Sequence, residues 1–153
     1  MNLKETDSDA LSKLVFSYRF LPDVALADIA FEAKAGTLEE LFEACAKALT
    51  AVMVDRRSIS SKVEKVVKFS AEDIDRLLYD FLTELIVIKD VESLLFREFH
   101  VSIEDKHSAC IMKGEHIDRE RHRLRNDVKA VTMHMFGIRK ITDGWQATVV
   151  LDI

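Results

Sequence analysis

Residues 26–55 read LADIAFEAKAGTLEELFEACAKALTAVMVD, and the fold class turns on the change of period inside this stretch. In ADIAFEAK (27–34), Ile29 and Phe31 fall on one face and Asp28, Ala30 and Glu32 on the other, the alternation of a half-buried strand. Gly36 and Thr37 end it. Thr37 and Glu40 then stand at the T-x-x-E spacing of a capping box, where the hydroxyl takes an orphan amide and the carboxylate reaches back. Beyond the cap, Leu38, Leu41, Phe42, Cys45, Leu49, Val52 and Met53 recur at steps of three and four. That period predicts an amphipathic helix ending near Val54.

Working outward, residues 1–12 carry no periodicity and read as a mobile tail. From Lys13, LVFSYRF (14–20) has the aromatic and β-branched content of a strand, which Pro22 confines to an edge or breaks. Downstream, KVEKVVKF (62–69) predicts a strand, with Val63, Val67 and Phe69 interspersed with lysines. Ser70 is the expected cap of a second helix, with Asp73 in the box position and Ile74, Leu77, Leu78, Phe81, Leu82 and Leu85 on its buried face. LLFREFHVSIED (94–105) and HSACIMKGEHI (107–117) read as an antiparallel pair. DRERHRLRND (118–127) is too charged for a buried strand and reads as a loop or exposed short helix. VKAVTMHMFGIRKI (128–141) and WQATVVLDI (145–153) are joined at Asp143-Gly144, a hairpin signal. The order ββαβαββββ predicts an α+β fold: one domain over 13–153, two amphipathic helices packed on a mainly antiparallel sheet.

Composition excludes several classes of protein. With 153 residues, 48% hydrophobic and 32% charged, the chain is neither disordered nor dependent on staples for a core. Two cysteines make no disulfide framework and point to a reducing compartment. A net charge of -5 argues against sequence-independent nucleic-acid binding, which works by neutralising phosphates. The polar, acidic start and the lack of a long apolar run predict a cytoplasmic protein with no membrane contact.

No nucleotide-binding, zinc-protease, redox or hydrolase signature is present, which predicts no catalytic residues. Cys45 lies on the helix's apolar stripe and reads as core. All five histidines follow position 99, and His134 stands out because it shares a strand face with Thr132 and Phe136, opposite Val131, Met133 and Met135. The run holding Arg119, Arg121, Arg123, Arg125 and Lys129 is either a basic contact patch or a solvated face. Three aspartates sit oddly. Asp28 lies in an apolar strand, Asp55 opposes the dipole at a helix C-terminus, and Asp152 closes the last strand beside the terminal carboxylate of Ile153. A hard divalent cation would satisfy such oxygens together.

The stretch 26–55 resembles the opening of the archease family, in which an Ala-Asp-Ile strand precedes a Leu-Glu-Glu-Leu-Phe helix ending in Met-x-Asp. LLYDFLTELIVIKD (77–90), GEHIDRERH (114–122), VKAVTMH (128–134) and ATVVLDI (147–153) are similar to its later blocks in the same order. The resemblance implies a non-catalytic accessory protein that activates an RtcB-type RNA ligase by promoting its guanylylation and turnover, touching RNA only indirectly. It also implies a divalent metal (Ca, Mg or Mn) held by Asp28, Asp55, Asp152 and Ile153, the residues already singled out as oddly placed. Arg119, Arg121, Arg123, Lys129 and His134 are the expected partner contacts. A general chaperone of RNA-modifying enzymes, and behind it a metal-dependent hydrolase, are the alternatives. One departure stands out: Ala25-Leu26 replaces the family's usual His-Thr before Ala-Asp-Ile.

Overall fold

The helix predicted from the capping box runs where expected, and its two ends explain much of the architecture. A computed structural model describes residues 17–22, 28–105 and 107–153; the expected tail at 1–12, the strand start at Lys13 and the Ala25-Leu26 departure lie outside them. Strands β1 (Ser17–Phe20) and β2 (Asp28–Ala35) lead into helix α1 (Leu38–Met53). Thr37 Oγ1 accepts the Glu40 amide at 3.1 Å and donates to Glu40 Oε1 at 3.0 Å, so the box closes side chain to side chain. A 3-10 turn (Arg56–Ser58), β3 (Val63–Phe69) and helix α2 (Ile74–Glu92) follow. Strands β4 (Leu94–Glu104), β5 (His107–His116), β6 (Ala130–Ile141) and β7 (Gly144–Asp152) complete the order.

The fold class is α+β, and every strand pairing is antiparallel. The strands divide into two sheets, β1-β2-β7-β6 and β3-β5-β4. Helix α1 packs against both, which is why its burial extends beyond the predicted stripe to Ala44, Ala46, Ala48, Thr50 and Ala51. Cys45 is core, and burial pushes its thiol far above the usual range. Phe42, Phe69 and Phe81 stack at centroid distances of 4.9 to 6.3 Å and tie α1, β3 and α2 together. Among the described residues no helix is long and apolar enough to cross a membrane.

Three local expectations are corrected. The cap of α2 is Asp73, not Ser70: its carboxylate accepts the Arg76 amide at 2.8 Å, and the helix begins at Ile74. The β6–β7 turn consists of Thr142 and Asp143, and Gly144 is already the first residue of β7. Glycine is required there because φ is +151° and a Cβ would fall 2.0 Å from the Ala35 carbonyl oxygen. The even alternation expected from Val131 to Phe136 fails: β6 bulges between Thr132 and Gly137 and Met135 adopts φ of +57°. Met133 and Met135 therefore lie 63% and 53% exposed while Val131 is core. The charged stretch 118–127 is a loop, one of its two expected forms. The Arg121 and His122 amides both bond the Asp118 carbonyl, and His122 is buried.

The α2 cap separates the two readings directly. Asp73→Ala should cost about 1 kcal/mol of stability, whereas Ser70→Ala should stay within about 0.5 kcal/mol, measured by urea denaturation.

Candidate functional site

Sheet register brings the first and last odd aspartates together. β2 begins at Asp28, β7 ends at Asp152, and the two are direct cross-strand partners. Directly opposite side chains in an antiparallel pair lie about 5 Å apart at Cβ, where like charges are destabilising. Both residues are half-buried, and among the described residues neither carboxylate has a hydrogen-bonding or ion-pairing partner. Ile153 follows directly, its side chain packed against the core. Such hard oxygen donors suit a divalent cation, and the paired charges are unfavourable without one.

Asp55 is different. It lies 5% exposed just beyond α1, where Oδ1 accepts the Arg57 amide at 3.1 Å and Arg57 Nε at 3.1 Å, and Oδ2 accepts Arg57 Nη2 at 3.0 Å. The Arg57 guanidinium holds the carboxyl below its usual range, with Arg125 adding to the effect. The compensation expected of an acid at a helix C-terminus is therefore supplied from within the chain. Among the described residues no three Asp, Glu, His or Cys side chains converge closely enough to hold a metal.

The loop between β5 and β6 connects these places. The Arg125 amide and Nη1 bond the Met53 and Ala51 carbonyls at 2.8 Å each, and the Asn126 amide bonds Val52 at 3.1 Å. The last carbonyls of α1, left without intrahelical partners, are thereby satisfied without a glycine cap. The Asp55 amide bonds Arg123 O at 2.9 Å, and the Lys129 amide bonds Asp152 O at 2.8 Å. One segment thus fixes both the end of α1 and the end of β7.

Sequence reasoning missed the group that holds this loop down. Glu115, 4% exposed, accepts the Ser60 amide at 2.6 Å, a hydrogen bond from Arg121 Nη2, and one from His122 Nε2 at 2.9 Å. His122 Nδ1 accepts the Asp118 amide at 2.9 Å, which puts the ring proton on Nε2, facing Glu115. The sequence signal was weak: a Glu at a strand end, with Asp118 and His122 four apart in the loop that follows. Of the expected partner contacts, Arg119, Arg121, Arg123, Lys129 and His134 are all exposed. Arg121 is the one tied to Glu115, and His134 lies on the β6 bulge, apart from the loop.

Comparison with known proteins agrees with this architecture. The model of the Archease protein family (MTH1598/TM1083) matches residues 18–153. The chain belongs to the archease family. Protein archease of Pyrococcus furiosus is 43% identical over 132 residues, covering 83% of this chain and 93% of that protein. Its counterpart from Methanothermobacter thermautotrophicus is 40% identical over 131 residues, with the same coverage. The solution structure of Methanobacterium thermoautotrophicum protein 1598 superposes with a TM-score of 0.77 at 37% identity, covering 91% of this chain and 99% of that one. A Thermotoga maritima crystal structure, described as an archease and possible chaperone, shares the fold with a TM-score of 0.63 at 21% identity, covering 84% and 93%.

The Glu115 cluster has a pH signature. Arg121 first, then His122 and the Ser60 amide, hold this carboxyl down at about 2 against an ordinary 4.5. A depressed folded-state value means that the stabilisation is complete above the unfolded value and is lost as pH falls from 4.5 through about 2. Glu115→Gln should lose about 2 kcal/mol at neutral pH, the scale of a charged hydrogen bond. It should also flatten the acid limb of the stability curve, read by thermal denaturation across that window.

Proposed function

We propose that this archease is a non-catalytic, cation-binding activator of an RtcB-type RNA ligase, acting in the cytoplasm by promoting ligase guanylylation and turnover. The observation that carries the reading is the Asp28–Asp152 pair. Two carboxylates on neighbouring strands, half-buried and without a counter-cation among the described residues, form an arrangement that stability alone disfavours. Family membership supports the accessory role, and the absence of a recognisable nucleophile in the sequence agrees with it.

In this reading Asp28, Asp152 and the terminal carboxylate of Ile153 hold a divalent cation, Ca, Mg or Mn, at the end of the four-stranded sheet. Asp55 joins them through the lone pair that Oδ2 keeps beside its bond from Arg57. The bound ion supplies a charged, oxygen-seeking centre to the docked ligase. The chain's own part is positional: the Lys129 amide fixes the Asp152 carbonyl, and the β2–β7 register sets the spacing of the two carboxylates. Arg119, Arg121, Arg123, Lys129 and His134 form the partner-facing surface, and charge steering there raises the association rate more than the affinity.

Removing Asp28 or Asp152 tests this. Alanine at either position should abolish calcium binding by calorimetry and lower the maximal stimulation of a purified ligase. The apo melting temperature should hold or rise, because a repelling charge is gone. A sharp fall in apo stability for both variants, with calcium binding intact, would make these carboxylates structural.

A further inference from the structure

Alternation decides which face of the four-stranded sheet carries Asp28 and Asp152. Ile29 and Phe31 on β2, Val149 and Leu151 on β7 and Val131 on β6 turn to the core. Asp28, Ala30, Val150, Asp152, Ala130 and Thr132 therefore turn the other way. The strand registers arrange these six in two rows. Asp28, Asp152 and Ala130 form the row at the end of the sheet, and Ala30, Val150 and Thr132 form the next row inward. Ala30 and Val150 are 3% and 0% exposed, although neither belongs to the contiguous core. The two carboxylates thus stand at the rim of a buried floor.

Thr132 is the member of that floor with a polar side chain. Its Oγ1 is buried, and among the described residues it has no hydrogen-bond partner. A buried hydroxyl left unpaired costs free energy, and native structures hold few that a water or an ion does not explain. Thr132 faces Val150 directly and has Asp152 on its diagonal. Diagonal neighbours in an antiparallel pair stand about 7 Å apart, a separation that one ion between two side-chain oxygens can span. Ala130, the β6 residue in the end row, offers no oxygen, so on this face Thr132 is the first side-chain donor that β6 supplies. Charge also favours a hydroxyl there. Asp28, Asp152 and the terminal carboxylate carry more negative charge than one divalent ion neutralises, so the remaining places in its oxygen shell suit neutral donors.

We propose that the Thr132 hydroxyl is the neutral oxygen donor that completes the cation site at Asp28 and Asp152. The inference rests on the cation reading of that pair. It extends the site from two strands to three, with β2, β7 and β6 each supplying one side-chain donor. It also accounts for where the β6 bulge begins. Pairing holds Thr132 against Val150, and the register departs only beyond it, so the donor sits on the last residue that the sheet still positions.

Calorimetric titration of the full chain with calcium and with manganese, alongside apo melting temperatures, tests this. Thr132→Val keeps the β-branched shape and removes the hydroxyl. It should weaken cation binding about ten-fold, the scale on which groups supporting a metal site act. Its apo melting temperature should hold or rise, because an unpaired buried hydroxyl is gone. Thr132→Ser keeps the oxygen and should stay within about three-fold of wild type. Thr148→Val, the same chemical change one row further along this face, should stay within about two-fold. Unchanged affinity in Thr132→Val, a loss that serine fails to restore, or an equal loss in Thr148→Val would overturn the proposal. So would a sharp fall in the apo melting temperature of Thr132→Val, which would mark the hydroxyl as structural. A wild-type chain that binds neither ion would defeat the cation reading and this inference with it, whereas wild-type binding that Thr132→Val leaves intact defeats the inference alone.

Discussion

The antiparallel register of β2 against β7 is the constraint on which the rest depends. It runs unbroken from Asp28↔Asp152 to Ala35↔Trp145. At one end it sets two carboxylates opposite each other. At the other it brings Gly144 so close to the Ala35 carbonyl that no side chain fits. A slip of one residue would turn Phe31, Val149 and Leu151 out of the core, so burial of these side chains enforces the pairing of the two acids. The core therefore holds the two acids opposite each other.

A second constraint is the end of α1. A helix that stops without glycine, in extended backbone at Val54, needs partners for its last carbonyls, and the 123–126 segment provides them. That segment is held from below by Glu115 and His122, a polar group whose members are mutually satisfied and mostly buried. Satisfied buried networks of this kind specify one arrangement. Here the arrangement is a loop displaying Arg119 and Arg123 outward, with Arg121 exposed but bonded to Glu115 and Arg125 turned to the end of α1. Charge density along the loop thus overstates its unpaired charge, since Arg121 is paired with Glu115.

What could be read in the sequence was what short-range chemistry decides. The α1 cap, the 3.6-residue period of both helices, the β4–β5 and β6–β7 pairings and the core position of Cys45 all follow from neighbours close along the chain. The cap of α2 was misplaced because Ser70 and Asp73 are both competent caps, and only the packing of Leu77 and Phe81 decides between them. The β6 bulge left no trace, since it arises from pairing with β7 rather than from its own residues. For the site, oddly placed aspartates were visible as violations of local preference. The capture of Asp55 by Arg57, two residues on, and the Glu115–His122 contact, seven residues apart, lie in irregular turns that no periodic pattern marks, while the bonds from Arg125 to the end of α1 join segments far apart in the chain.

Anomalous diffraction from crystals soaked in manganese tests the central claim most directly. The account predicts an anomalous peak within coordination distance of carboxylate oxygens of both Asp28 and Asp152. A manganese-soaked crystal with no peak there, or with its strongest peak beside Glu115, would contradict it.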